Sequence, residues 1–271
     1  MSSVAVNGIT VGYDDTGPRD AASVLVLVHG HPFDRSMWRP QAAFLAAAGW
    51  RVIAPDLRGY GASTVVPGVT PLSAFAGDIA ALCDRLGVRR FVLGGLSMGG
   101  QIVMECHRLF PERLRGLLLA DTTERAETPE GRRWRAATAD RLLCDGMSAY
   151  ADDELPRMVS PATISARPAV AAHVSRMMRD TAPAGAAAAL RGRAERPDYA
   201  GSLARATAPV LVVVGADDAY TPVADARRLA GRVPHSTMAV IDGAGHMPNL
   251  ERPDAFNKAL MTFLDTIPEE S

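Results

Sequence analysis

Ser97 is the residue whose type and setting point most directly to chemistry. It is the centre of a G-x-S-x-G motif at residues 95–99, between an apolar run at residues 91–93, which predicts a strand ended by Gly94, and a helical pattern. A strand-to-helix turn at one residue crowds the backbone, so glycines flank it and the serine faces outward. The backbone N–H of Met98 then points to where an oxyanion would form. The motif predicts a nucleophile; a glycine–serine turn that matches by chance is the alternative.

A serine nucleophile needs a base, and the base needs an acid that orients it. His246 is the predicted base because its glycine-containing loop directly follows the last predicted strand. Ligand sites of parallel sheets collect at such strand ends. An exposed loop histidine is the alternative. Two neighbouring carboxylates, Asp217 and Asp218, follow the predicted strand at residues 210–214 and are the candidate acids.

This chain order of serine, aspartate and histidine, each after a strand, resembles the α/β-hydrolase family over nearly the whole chain. The resemblance implies a triad of Ser97, Asp218 and His246. The family places its acid at the fourth residue of G-x-x-D, here residues 215–218, which favours Asp218 over Asp217. Asp121 follows the predicted strand at residues 114–120 and is the reserve acid, or else a helix cap or structural carboxylate.

The resemblance also implies an oxyanion hole. His29 and Gly30 follow a buried strand and resemble the family's H-G-x-x loop, whose donor maps to residues 31–33. Pro32 has no N–H, so the implied donors are the backbone N–H groups of Phe33 and Met98. Residues 56–63 resemble the family's D-x-R-G-x-G-x-S loop, whose role is mainly structural.

The elements that must position these residues alternate between strands and helices. Asn7 and Gly8 mark a hairpin, and apolar runs predict strands at residues 24–28, 51–54, 91–93, 114–120, 210–214 and 237–241. This alternation predicts an α/β fold with a mostly parallel central sheet of about eight strands flanked by helices. Strand patterns vanish over residues 122–205, where helical stretches predict a cap inserted into a core of residues 1–121 and 206–271.

The predicted cap would supply most of the pocket wall. Trp134, Met177 and Met178 are among its few large apolar side chains, and we expect them to contact the substrate. His31 could contact a substrate oxygen, or it could bond to nearby backbone. Four arginines could receive a carboxylate or could be solvated on helix surfaces. They are Arg125, Arg132, Arg133 and Arg135.

Composition excludes several other classes of protein. A formal net charge of −1 gives no field to attract nucleic acid or an anionic membrane, and no apolar run approaches membrane-spanning length. The cysteines at 83, 106 and 144 are expected to be free thiols, which suits a reducing compartment. Without C-x-x-C or H-E-x-x-H motifs we expect no metal and no cofactor. The amino terminus lacks a secretion-signal pattern, which favours a cytoplasmic protein.

Within the family, the chain resembles 3-oxoadipate enol-lactonases and cofactor-free haloperoxidase/esterases. The resembling stretches are residues 95–100, 111–113, 129–131, 145–147 and 245–251. The resemblance implies that a small-molecule carboxylic ester or lactone is hydrolysed through an acyl-enzyme. The alternatives are a carbon–carbon bond hydrolase, a cofactor-free perhydrolase or haloperoxidase, and a non-hydrolytic biosynthetic enzyme or small-molecule receptor on the same scaffold.

Overall fold

Strands that alternate with helices form one eight-stranded sheet in the computed structural model, which describes residues 2–268. The strands are β1 (Ser2–Val6), β2 (Ile9–Thr16), β3 (Val24–Val28), β4 (Arg51–Pro55), β5 (Phe91–Leu96), β6 (Leu114–Ala120), β7 (Val210–Gly215) and β8 (Ser236–Ile241). Their order is β1-β2-β4-β3-β5-β6-β7-β8, and β2 is antiparallel to both of its neighbours whereas the other pairs are parallel. The predicted α/β class and mostly parallel sheet are confirmed.

Helices connect the strands and cover the sheet. Those of the described residues are α1 (Arg39–Ala47), α2 (Leu72–Arg85), α3 (Met98–Leu109), α4 (Pro129–Asp145), α5 (Ser148–Met158), α6 (Pro161–Ala166), α7 (Pro168–Asp180), α8 (Pro183–Ala194), α9 (Ala200–Leu203), α10 (Val223–Ala230), α11 (Pro248–Glu251) and α12 (Pro253–Leu264). None of them combines the length and the apolar composition needed to span a bilayer.

The sheet is buried because apolar side chains cover both of its faces. Along β3, Val24, Val26 and Val28 pack into the apolar cluster formed with α2, α3 and α10. The alternate residues Leu25 and Leu27 pack into the second cluster, formed with α1 and α12. Because successive side chains of a strand point to opposite faces, a continuous apolar run is what a strand covered on both sides requires.

Two sequence expectations about turns have different outcomes. The predicted hairpin is confirmed, because Asn7 and Gly8 adopt φ values of 46° and 76° between β1 and β2. Gly94 does not end its strand as expected, since β5 continues to Leu96. A Cβ at Gly94 would lie 3.0 Å from side-chain atoms of both Leu27 and Leu118. The glycine therefore leaves space for the leucines of the two neighbouring strands, β3 and β6, and a strand pattern alone does not distinguish this role from a strand end.

Between β6 and β7 the chain is helical, from α4 to α9. Helices α4 and α8 pack together, and small side chains make this close approach possible. Their shared apolar cluster, which includes residues of α5, consists of Ala139, Leu142, Met147, Tyr150, Ala186, Ala187 and Leu190. The division of the chain into a core and a cap at residues 122 and 205 stays a prediction.

Candidate active site

Ser97 stands at the turn between β5 and α3 in an unusual backbone conformation. Its φ is +57° and its ψ is −114°, a region that costs a residue with a side chain about 1–3 kcal/mol. Hydrogen bonds hold the turn: the Ser97 N–H donates to the Ala120 oxygen at 2.8 Å, and the Thr122 hydroxyl donates to the Ser97 oxygen at 2.8 Å. The end of β6 thus fixes the serine that follows β5.

The glycines on either side of Ser97 are required by space. A Cβ at Gly95 would collide with the backbone of Gly99, and a Cβ at Gly99 would collide with the Val28 carbonyl oxygen. Met98 is the first residue of α3, and the first N–H groups of a helix have no partner within it. The Met98 N–H is therefore available beside the serine, with the positive end of the helix dipole behind it.

His246 and Asp218 form a buried hydrogen-bonded pair. The distance from His246 Nδ1 to Asp218 Oδ2 is 2.9 Å. The Tyr220 N–H donates to Asp218 Oδ1 at 2.8 Å, and the Thr221 hydroxyl donates to Oδ2. Burial opposes the charge of Asp218, but attraction to His246 and the hydrogen bonds from His246 and Thr221 outweigh it and lower the pKa of Asp218. An ionised Asp218 keeps the proton of His246 on Nδ1, which leaves Nε2 to act as a base.

The other two candidate acids are placed differently. Asp121 lies beside the pair, and one potential ligand atom from each of Asp121, Asp218 and His246 falls within 4.8 Å of the others. The Gly215 N–H donates to Asp121 Oδ1 at 2.9 Å, while Oδ2 is buried without a partner in residues 2–268. Burial, reinforced by the charge of Asp218, raises the pKa of Asp121 well above its ordinary value. Asp217 is exposed. Of the three, Asp218 is the carboxylate that the structure joins to His246.

The loop after β3 contradicts the sequence prediction for the second oxyanion donor. The Phe33 N–H donates to the Gly30 oxygen at 3.0 Å, so it closes a turn and is not available to a substrate. The neighbouring N–H of His31 has no hydrogen-bond partner in the described chain. Pro32 itself has no N–H, and the turn uses the N–H of the residue after it, Phe33, whereas the N–H of the residue before it, His31, is left without a partner in the described chain.

His29 holds this loop in place. The Leu57 N–H donates to His29 Nε2 at 2.9 Å, so the ring proton is on Nδ1, which donates to the Gly30 oxygen at 2.8 Å. The Gly30 carbonyl therefore accepts hydrogen bonds from both His29 and Phe33.

The loop that begins at Asp56 is structural, as the resemblance implied. The carboxylate of Asp56 accepts hydrogen bonds from the Arg35 N–H at 2.9 Å and the Ala62 N–H at 2.7 Å. Arg58 binds Asp78 through two hydrogen bonds of 2.7 Å each. These contacts tie the loop after β4 to α2 and to the start of the loop after β3, and they lie among residues that do not line the serine's cavity.

A cavity of about 150 Å³ brings the predicted nucleophile and base together. Ser97 and His246 both line it, although the Ser97 hydroxyl makes no hydrogen bond with any residue from 2 to 268. Catalytic hydrogen bonds are often long before a substrate binds. The complete lining is His31, Ser97, Gln101, Asp121, Thr122, Thr123, Trp134, Arg135, Tyr150, Met158, Leu190, Arg193, Arg196, Tyr220, Thr221 and His246.

Of the apolar residues predicted to contact substrate, only Trp134 lines this cavity, and its side chain is 44% exposed. Met178 is fully buried in the second apolar cluster. Met177 lies in the same cluster and borders a separate groove beside Asp34. The prediction for the two methionines is wrong because α7 packs against α5, which turns its apolar stripe into the core. The large side chains that the sequence argument missed are Met158, Tyr150 and Tyr220.

His31 contributes its side chain as well as its backbone. Its Nδ1 lies 2.7 Å from the hydroxyl oxygen of Tyr60, and its Nε2 is buried without a partner among the described residues. The alternative of a backbone bond is therefore wrong. Burial, and then the neighbouring charge of Arg193, lower the pKa of His31 well below its ordinary value, so its imidazole is neutral.

Three arginines line the cavity, but they are not the set that the sequence suggested. Only Arg135 of that set lines the cavity, and Arg193 and Arg196 line it with Arg135. Arg193 and Arg196 are three residues apart at the end of α8 and beyond it. The helical spacing rule could not single them out together, because Arg196 lies beyond the end of α8 and residues three apart share a face only within a helix.

Comparisons with known proteins show that the chain is similar to alpha/beta hydrolases over nearly its whole length. Residues 25–259 match the model described as the alpha/beta hydrolase family. The 3-oxoadipate enol-lactonase 2 of Acinetobacter baylyi is 32% identical over 257 residues, which are 95% of this chain and 92% of that protein. A thermophilic esterase from Thermogutta terrifontis, solved with malate bound, superposes with a TM-score of 0.93 and 38% identity over 98% of this chain and 97% of that one. The enol-lactonase from Burkholderia xenovorans LB400 gives a TM-score of 0.90 and 31% identity over 97% and 100% of the two chains.

Proposed function

The chain belongs to the alpha/beta hydrolase family, an enzyme family, as its sequence resemblance implied, and on this premise we propose that it is a serine hydrolase that cleaves a carboxylic ester or lactone of a small molecule. The observation that carries the proposal is the buried pair of His246 and Asp218, 2.9 Å apart, at a cavity that Ser97 also lines. The esterase and enol-lactonase relatives favour the same reaction class.

In the proposed reaction, Ser97 attacks the substrate carbonyl while Nε2 of His246 accepts its proton. Asp218 holds the tautomer and stabilises the imidazolium that forms. The backbone N–H groups of Met98 and His31 donate to the oxyanion, and each such donor is worth about 3 kcal/mol. His246 then protonates the leaving oxygen, which gives the acyl-enzyme. His246 then accepts a proton from a water molecule that attacks that ester, and it returns the proton to the Ser97 oxygen as the bond between the acyl carbon and Ser97 breaks and the acid product leaves.

The segment of residues 122–205 is proposed to act as the cap that encloses the substrate. Support comes from Trp134, Tyr150 and Leu190, which belong to three different helices of the segment and line the same cavity as Ser97. At about 150 Å³ the cavity is small beside common ligand pockets of roughly 300–1,000 Å³. Short acyl groups and small lactones are therefore the expected substrates, rather than long-chain lipids.

The test is covalent labelling. A fluorophosphonate probe is expected to modify Ser97, located by peptide mass spectrometry, and p-nitrophenyl acetate is expected to be hydrolysed. Ser97→Ala should lose both, with less than about a thousandth of wild-type kcat left. The matched control is Ser36→Ala, because the Ser36 hydroxyl lies 3.2 Å from His173 Nε2, outside the cavity, and should keep both activities. Hydrolysis that survives in Ser97→Ala would contradict the proposal.

A further inference from the structure

The helical segment between β6 and β7 and the residues just after α8 bring more positive than negative charge to the cavity. Arg135, Arg193 and Arg196 all line it. Glu127 is the carboxylate beside them: it accepts hydrogen bonds from Arg135, and from Arg196 at 2.7 Å. Burial opposes the charge of Glu127, but these two arginines outweigh it and lower the pKa of Glu127 to about 2. The ionised carboxylate of Glu127 thus pairs with two of the three guanidinium groups, and the third has no carboxylate partner among the described residues.

Arg193 is that third group. It is 8% exposed, and its Nε donates to the neutral side chain of Gln101 at 3.1 Å. Within residues 2–268 it has no carboxylate partner. Burial, with the charges of Arg135 and Arg196, lowers the pKa of Arg193. Arginine side chains keep their proton in proteins, so Arg193 is treated as a cation. A buried cation without a counter-ion is costly, and such sites are stabilised when an anion binds.

His31 adds a directed hydrogen-bonding group to the same cavity. It is 5% exposed, its Nε2 has no partner in the described chain, and Arg193 is close enough to perturb it electrostatically. If Tyr60 donates its hydroxyl proton to Nδ1, the neutral ring carries its own proton on Nε2 and presents a donor to the cavity. An anion in the cavity would favour this arrangement, because it can accept a hydrogen bond from a protonated Nε2 but cannot donate one to an unprotonated Nε2.

We propose that Arg193 and the His31 Nε2 form a carboxylate-binding subsite, so that the substrate is a small ester or lactone that also carries a free carboxylate. The inference rests on the proposed function, since the reacting carbonyl is placed at Ser97 of the same cavity. A planar guanidinium matches a carboxylate with two parallel hydrogen bonds. With a cavity of about 150 Å³, the carboxylate and the reacting carbonyl must be separated by only a few bonds.

The test compares two esters that differ in this one group. Monomethyl succinate carries a carboxylate, whereas methyl succinamate carries an uncharged amide of the same shape. Hydrolysis is measured by the methanol released. The kcat/KM of the wild-type enzyme is expected to be about tenfold or more higher for the anionic ester than for the amide. Arg193→Gln should reduce this ratio to about one, mainly through KM. Arg133→Gln is the control, because Arg133 is exposed on α4 and pairs with Glu130 outside the cavity, and it should keep the ratio.

A measurement on the wild-type enzyme covers the case in which Arg193→Gln fails to fold. Succinate should inhibit p-nitrophenyl acetate hydrolysis competitively, and succinamide should inhibit it at least about tenfold more weakly. Equal inhibition, or equal hydrolysis of the two methyl esters, overturns the subsite while Ser97 labelling still supports the hydrolase. If instead Ser97 is not labelled and no ester is cleaved, calorimetry with succinate and succinamide on wild-type protein decides the subsite by itself. Preferential binding of succinate supports it, and no preference rejects it.

Discussion

The floor and the roof of the cavity are built in different ways. The floor is Ser97, Asp218 and His246, each of which lies just beyond the end of a parallel strand. The roof comes from side chains of the helices between β6 and β7, among them Arg135, and from Arg193 at the end of α8. In the floor, the carboxylate of Asp218 is hydrogen-bonded to His246. In the roof, three guanidinium groups line the cavity and one carboxylate, that of Glu127, pairs with two of them. On this difference we base the proposal that the floor performs the reaction and the roof selects the substrate.

The largest effect should come from breaking the pair in the floor. In Asp218→Asn the side chain can no longer hold the proton on His246 Nδ1, so we expect kcat for p-nitrophenyl acetate to fall about 10⁴-fold. The control is Asp217→Asn, because Asp217 is exposed and makes no contact with His246, and its kcat should stay within about twofold of wild type.

The reserve acid sharpens this experiment. Asp121→Asn is expected to lower kcat far less than Asp218→Asn, because no hydrogen bond joins Asp121 to His246 in the described chain. An Asp121 variant as inactive as the Asp218 variant would move the acid role to Asp121.

The next effect concerns the shape of the floor. A Cβ at Gly99 collides with the Val28 carbonyl oxygen, so Gly99→Ala should lower the free energy of unfolding by about 3 kcal/mol and displace Ser97. Gly201→Ala is the control, because a Cβ there meets no atom within 4 Å and the helical site favours alanine. Urea denaturation checks both variants. Equal stability of the two would mean that the turn between β5 and α3 tolerates the extra atom.

The contrast between the floor, built at strand ends, and the roof, built from packed helices, also explains how much of the site could be predicted from sequence. The positions of Ser97, Asp218 and His246 beyond strand ends could be predicted, because local apolar runs mark where a strand ends and parallel strands bring their ends to one edge of the sheet. Met177 and Met178 were assigned wrongly, and Arg193 was missed, because the face that a helix presents depends on the helices packed against it. The Phe33 N–H was misplaced because a turn hydrogen bond to Gly30 is not encoded in a motif.

Stability against pH should separate the two buried carboxyl groups. The raised pKa of Asp121 means that the folded chain holds this proton at a pH where the unfolded chain, with a pKa near 3.8, has lost it. Folding then binds a proton, so stability falls as pH rises from about 4 toward the folded pKa, by up to about 1.4 kcal/mol per pH unit. In Asp121→Asn this loss is absent. Urea denaturation at pH 5 and pH 7 should show the variant gaining relative to wild type as pH rises.

The opposite trend is expected for Asp218. Its pKa is lowered in the folded chain, so its contribution to stability is present at a pH above the unfolded pKa and is lost as pH falls through the folded pKa.

One outcome would contradict the prediction for Asp121. A stability difference between wild type and Asp121→Asn that does not change with pH would show that Asp121 is ionised in the folded state.

The smallest effect should come from the contact that joins roof to floor. The Tyr220 hydroxyl donates to Glu154 on α5, while its ring lies 4.9 Å from the His246 ring, centroid to centroid. Tyr220→Phe keeps the ring and removes the link, so we expect kcat for p-nitrophenyl acetate to fall about threefold with KM nearly unchanged. Glu154→Gln retains an acceptor oxygen and should lose less than Tyr220→Phe. If Tyr220→Phe matches wild type in kcat while Glu154→Gln does not, the α5 carboxylate acts on the roof alone, and floor and roof are energetically independent.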